Sequence, residues 1–240
     1  MRHPIQFISL GPGDPELITV KGLNALRAAD IIYCPATQGK QGLLSRAKDI
    51  VQSLGIAETS IQLFLVPMSK ERAEALKAYD NLFTVAKAEY EEGKRIIIVA
   101  EGDAGFYSSI QYIYDRFVAN AIPVQRIAGV PAFLAAGACA GIHVVKQEEQ
   151  LLVIPGIISR SELEEHIREG KVVVLIKLPS CQEAIKECLR DCPDKADYHY
   201  FEQVGTGKEY HTSAPSAILD REFPYFSLMI IRPHAFVTAS

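Results

Sequence analysis

The chain has 240 residues, 48% hydrophobic and 22% charged, with a formal net charge of -4 and a pI near 5.9. That length suits one large α/β domain or two small lobes, and the composition is that of an ordinary folded domain rather than a disordered or repetitive chain. The acidic balance argues against a protein that wraps nucleic acid, where affinity comes from neutralised phosphates. No apolar run reaches membrane-spanning length, and the apolar stretch at 5–10 is too short and interrupted for a secretory-signal core, so no membrane association and a cytoplasmic location are expected.

In chain order, residues 5–10 read as a strand, 17–29 as a helix and 31–34 as a second strand. Leu43, Leu44, Ala47, Ile50, Val51 and Leu54 have helical spacing over 43–54. A strand at 61–66 and a long helix at 70–92 follow. Ile96-Ile97-Ile98-Val99 is the continuous apolar run of a parallel strand buried on both faces. A helix at 108–121, a strand at 124–127 and a helix of small residues at 132–140 complete the first half. Such alternation implies βαβ units and a mostly parallel sheet. In the second half, 151–154, 172–176, 198–201 and 226–231 read as strands. Ser161 with Glu164 reads as a capping box opening a helix to 169, and 181–189 as a further helix. The fold class is α/β, with one lobe over 1–145 and a second over 146–240, the boundary lying between Ile142 and Leu151. The five cysteines include no C-x-x-C pair. Cys181, Cys188 and Cys192 with His199 and His211 downstream are therefore read as ordinary residues, and no metal is expected.

Two loops carry the chemical signal. The first strand ends in Gly11-Pro12-Gly13-Asp14-Pro15, and the strand at 95–100 ends in Glu101-Gly102-Asp103-Ala104-Gly105. Glycine-rich turns at carboxyl ends of parallel strands are where α/β sheets bind ligands. A dinucleotide is disfavoured: Pro12 has no N–H to offer a phosphate, Asp14 adds negative charge, and Glu16 stands where a third glycine would be. Acidic loops suit a ligand with sugar hydroxyls and positive charge and no phosphate, such as S-adenosylmethionine. Taken singly, each loop also reads as a tight turn with its aspartate capping a helix.

These segments resemble the tetrapyrrole methylases. Gly11-Pro12-Gly13-Asp14-Pro15 through Leu17, Thr19, Lys21 and Gly22 is similar to their opening signature, Glu101-Gly102-Asp103 with Tyr107 to the second, and Gly129-Val130 before Pro131-Ala132 to the third. Tyr33-Cys34-Pro35-Ala36, Val66-Pro67-Met68-Ser69, Phe106-Tyr107-Ser108-Ser109 and Tyr225-Phe226-Ser227-Leu228 are similar to the precorrin-2 C-20 methyltransferases within it. The resemblance implies two α/β lobes with S-adenosylmethionine in a cleft between them and a homodimer. It also implies a tetrapyrrole acceptor, precorrin-2 or cobalt-factor II. Carried over by position, the cofactor residues are Pro12, Glu101, Gly102, Asp103, Phe106, Pro131, Ala132, Lys177 and Val204; no catalytic base is assigned, with Asp103 or Tyr107 open as proton acceptor. Lys21, Arg46, Arg126, Lys177 and Lys208 are available for substrate carboxylates. Three positions depart from the family pattern. Ala104 replaces a usual proline, which is expected to loosen the second loop, and Pro131 replaces a small hydroxyl residue. Lys177 replaces an apolar residue and reads either as a carboxylate contact or as a solvated strand end. The alternatives are a methylase acting at another ring position, on uroporphyrinogen III or on ribosomal RNA, or a non-catalytic nucleotide-binding sensor.

Overall fold

The first unit, Met1–Pro131, runs in chain order β1 (Ile5–Ser9), α1 (Val20–Arg27), β2 (Ile31–Gly39), β3 (Gly42–Leu44), α2 (Arg46–Ser53), β4 (Ile61–Leu65), α3 (Arg72–Glu91), β5 (Ile96–Ala100), α4 (Gln111–Ala119) and β6 (Val124–Ile127). The structure is a computed structural model and describes residues 2–39, 42–66 and 72–234; Pro67, Met68 and Ser69 of the resembling segment lie outside them. Five strands pair in parallel in the order β4-β2-β5-β1-β6, and β3 folds back on the end of β2 as an antiparallel hairpin.

Strand alternation divides the apolar side chains between two faces. Ile5, Phe7, Ile96 and Ile98 pack with Tyr79, Leu82 and Ala86 of α3 and Ile113 and Phe117 of α4. Ile8, Ile32, Ile97 and Val99 pack with Leu26 of α1 and Ala47, Ile50 and Val51 of α2. Each fully buried aliphatic or aromatic side chain contributes about 1.5–3 kcal/mol. Helices on opposite faces follow from the winding. From β1 the chain moves outward to β2 and β4 through α1 and α2, then returns to β5 through α3 and crosses beyond β1 to β6 through α4. Its direction reverses between β1 and β5, so the connections leaving those two strands part toward opposite faces, the arrangement at which open α/β sheets hold ligands.

The second unit, Ala132–Ser240, contains α5 (Ala132–Cys139), β7 (Leu151–Ile154), α6 (Arg160–Arg168), β8 (Val172–Ile176), α7 (Gln182–Asp191), β9 (Ala196–Glu202), β10 (Tyr210–Thr212), α8 (Pro215–Leu219) and β11 (Ser227–Pro233). Its sheet has the order β10-β9-β11-β8-β7, with only β7 and β8 parallel. Leu163, Ile185, Leu189, Tyr200 and Met229 are among its core residues. The division at Pro131–Ala132 precedes the boundary read between Ile142 and Leu151, because the helix of small residues packs with β11 of the second sheet.

Three local readings are corrected. The capping box opening α6 is Ser159 with Glu162, not Ser161 with Glu164; the Glu164 carboxylate is instead engaged by Arg160 Nε at 2.7 Å. The helix read over 43–54 begins at Arg46, because Ser45 caps it by accepting from Lys48 N and the residues before it form β3. The helix read from 108 begins at Gln111.

Candidate functional site

β5, β1 and β6 are neighbours, so the loops leaving their carboxyl ends, around Gly11, Gly102 and Gly129, are brought together by the sheet. Gly11 and Gly102 form an antiparallel bridge across the reversal point, with Gly11 N donating to Gly102 O at 3.1 Å and Gly102 N to Gly11 O at 2.6 Å. Both glycines are left-handed, at φ +79° and +68°. Gly102 faces open space, since a Cβ built there meets nothing within 4 Å. A ligand can therefore lie against bare backbone at that point.

Asp103 joins the second loop to the third. Its Oδ1 accepts from Gly105 N at 2.7 Å and its Oδ2 from Gly129 N at 2.7 Å. Beneath it the fully buried Ser9 hydroxyl donates to Ile127 O at 2.7 Å and accepts from Ala104 N at 2.8 Å. One serine and one aspartate thus fix all three loops to each other. Ala104, expected to loosen the loop where proline is usual, does the reverse, since its N–H makes a bond that proline lacks. Sequence reasoning missed Ser9, although a hydroxyl within the apolar run Phe7-Ile8-Ser9-Leu10 was a signal: a buried polar group needs a partner.

Each acid of the glycine loops has a structural partner. Asp14 accepts from Glu16 N at 2.9 Å and caps the 3-10 turn Pro15–Leu17, as the capping reading had it. Glu101 at the end of β5 meets Arg46 Nε of α2 at 3.2 Å. Burial pushes the Glu101 carboxyl up, Arg46 opposes this, and Asp49 adds to it. What points to a ligand in the first unit is accordingly the exposed backbone of Gly102 and the meeting of three loops, rather than the acids themselves.

Pro12 is buried within the first loop and Phe106 half-buried on the second, where its ring meets Tyr107 edge-on at 4.8 Å. Pro131 closes the third loop, and Ala132 is the first residue of α5, in the second unit. Lys177 and Val204 also belong to the second unit. They leave the carboxyl ends of β8 and β9, which flank the start of β11 on one edge of the sheet. Among the described residues, three of the four left-handed non-glycine residues lie on such strand-end loops: Tyr107, Lys177 and Gln203, at φ 49°, 59° and 47°. Non-glycine residues in this region cost free energy and concentrate at functional sites.

The histidines and cysteines of the second unit play other parts. Cys181 and Cys188 are buried, and the His211 ring stacks on Phe201 at 4.5 Å and on His199 at 5.7 Å. Among the described residues no group of three or more His, Cys, Asp or Glu side chains is arranged to hold a metal ion. Burial, the neighbouring His211 and Arg232 lower the His199 pKa against Asp197, and burial lowers His211 against Glu209. Both therefore bind fewer protons folded than unfolded, and the stability they contribute is lost as pH falls through about 6.5. His234, raised by its bond to Asp197, works in the opposite sense. His211→Phe keeps the stack and removes one of the lowered groups. The variant is expected to lose less stability than the parent between pH 7 and pH 5, followed by circular dichroism in urea; equal losses would exclude this origin.

Three glycine loops meeting at the winding reversal of a doubly wound sheet are the arrangement at which open α/β proteins bind small molecules. The family described as Tetrapyrrole (Corrin/Porphyrin) Methylases matches residues 4–218, and the chain belongs to it. It is 29% identical over 233 residues to a precorrin-2 C(20)-methyltransferase of Sinorhizobium sp, covering 93% of each chain. It is 27% identical over 232 residues to a cobalt-precorrin-2 C(20)-methyltransferase of Salmonella typhimurium, covering 96% of this chain and 97% of that one. The fold matches a Thermus thermophilus uroporphyrin-III C-methyl transferase solved with S-adenyl homocysteine, at a TM-score of 0.66 and 17% identity over 96% and 92% of the two chains. Among the described residues no helix is long and apolar enough to cross a membrane.

Proposed function

We propose that this protein transfers a methyl group from S-adenosylmethionine to C-20 of precorrin-2 or of cobalt-factor II in cobalamin biosynthesis. The observation that carries this reading is the agreement of two relatives of matching length, both named for C-20 methylation, one with the cobalt-bearing precorrin and one without. The cofactor supplies a sulfonium-bound methyl group, and the acceptor carbon of the tetrapyrrole is the nucleophile of an in-line displacement. The protein's part is to position and to exclude water. The residues proposed for the cofactor, on the family resemblance, are Pro12, Glu101, Gly102, Asp103, Phe106, Pro131, Ala132, Lys177 and Val204. Gly102 offers its backbone, Phe106 an apolar wall, and Asp103 acts by holding the loops. Of the two residues considered as proton acceptor, Asp103 has both oxygens engaged by backbone N–H groups, whereas Tyr107 is exposed on the same loop. The reading extends to a homodimer in the cytoplasm, on the strength of the family resemblance.

The reading is tested by calorimetry and turnover together. S-adenosylhomocysteine is expected to bind and NAD not to, and kcat/KM for precorrin-2 or cobalt-factor II is expected to exceed that for uroporphyrinogen III. A preference for uroporphyrinogen III would move the activity to another member reaction. Cofactor binding without turnover of any tetrapyrrole would indicate a sensor.

A further inference from the structure

Of the cations considered for substrate carboxylates, Arg46 is paired with Glu101, while Lys21 lies in a cavity with His3, Gln6 and Arg95 beside the amino ends of β1 and β5. Arg126 on β6 differs from both. Its guanidinium lies over the Tyr114 ring of α4, with Cζ 4.4 Å from the centroid. Tyr114 is itself held edge-on against the buried Phe7 at 5.0 Å. The side chain also rests against the second loop: a Cβ on Gly105 would come within 3.1 Å of Nη1 and 3.2 Å of Cδ. Arg126 is exposed, and among the described residues no carboxylate forms an ion pair with it.

We propose that Arg126, stacked on Tyr114 and close to the backbone of Gly105, recognises a peripheral carboxylate of the tetrapyrrole acceptor. A guanidinium stacked by its face on an aromatic ring keeps its edge N–H donors directed outward in the fork that fits a carboxylate, and little rotamer freedom remains to be lost on binding. Its contact with the second loop is what ties it to the reaction, because Gly105 lies between Asp103 and Phe106 of the proposed cofactor site. The missing side chain at 105 fits this role, since a Cβ there would crowd Arg126 at 3.1 Å and Asp103 Oδ1 at 3.2 Å. The proposal rests on the methyltransferase reading above and adds to it the residue that selects an anionic acceptor.

The test compares the parent with Arg126→Gln and Arg126→Lys, measuring KM and kcat for precorrin-2, S-adenosylhomocysteine affinity by calorimetry, and the thermal melt. Loss of one charge-assisted hydrogen-bonded pair is expected to raise KM for the acceptor about tenfold or more in the glutamine variant. Lysine is expected to restore part of this, with cofactor affinity and melting unchanged. An unaltered KM while the parent turns over precorrin-2 would overturn the role of Arg126 and leave the methyltransferase reading standing. A parallel fall in cofactor affinity would also overturn it, assigning Arg126 to support of the loop. A parent that methylates no tetrapyrrole would remove both.

Discussion

Asp103→Ala is expected to lower thermal stability and S-adenosylhomocysteine affinity together. The carboxylate accepts from Gly105 N and Gly129 N, each at 2.7 Å. Gly105 is exposed, and its freed N–H can turn to water at small cost, but Gly129 is half-buried. Leaving its N–H unpaired costs about 1–3 kcal/mol and unpins the third loop from the second. With the loops no longer in register, affinity for S-adenosylhomocysteine should fall at least tenfold. Asp103→Asn is no rescue, since its amide N–H would point at one of the two donors. Melting by circular dichroism, suited to a chain with no tryptophan, and calorimetry on the same samples decide the matter. Lost affinity with an unchanged melt would return Asp103 to the direct cofactor contact that the loop sequence suggests; no change in either would exclude both roles.

Gly129→Ala should have a still larger effect. A Cβ at this position would lie 2.4 Å from Ser9 Cβ and 3.0 Å from Gly102 O. Neither neighbour is the movable tip of a long side chain, so β1, the second loop or the third must shift. Overpacking of this kind costs about 1–3 kcal/mol or more, and here the displacement falls on the loops themselves. Cofactor binding should be lost and the melt lowered. Gly102→Ala provides the contrast, because its Cβ would meet open space and the cost is the left-handed φ of +68°, about 1–2 kcal/mol. From the sequence, a side chain at Gly102 is expected to act mainly on the ligand, with a left-handed backbone angle as the alternative reading; the φ of +68° adds that second cost. A Gly129→Ala protein that melts and binds like the parent would show that the third loop yields freely and is not held as described.

The alternation of apolar strands and helices was readable because a parallel sheet buries both faces of its strands, and β5 announces itself as four consecutive branched residues, Ile96-Ile97-Ile98-Val99. The three glycine loops were likewise readable, since glycine marks a left-handed backbone, as at Gly11 and Gly102, or a close approach, as at Gly129. The roles of the acids were not. Asp14 and Asp103 sit in similar motifs, yet one caps a turn two residues on and the other reaches Gly129 across the sheet, a distinction set by the pairing of β5, β1 and β6 rather than by local sequence. Ser9 was hidden for the same reason: its partners Ile127 and Ala104 are remote in sequence. The hairpin of β2 and β3 was absorbed into a helix because Leu43 and Leu44 fit the helical spacing of the residues that follow Ser45.

The central claim is tested most directly by the position of the transferred carbon. The protein is incubated with precorrin-2, or with cobalt-factor II, and S-adenosylmethionine carrying a carbon-13 methyl label, and the product is read by carbon-13 NMR. A single new labelled methyl group on C-20, absent when S-adenosylmethionine is omitted, is the predicted result. A labelled methyl at any other ring carbon, or none on either acceptor while S-adenosylhomocysteine binds, would contradict it.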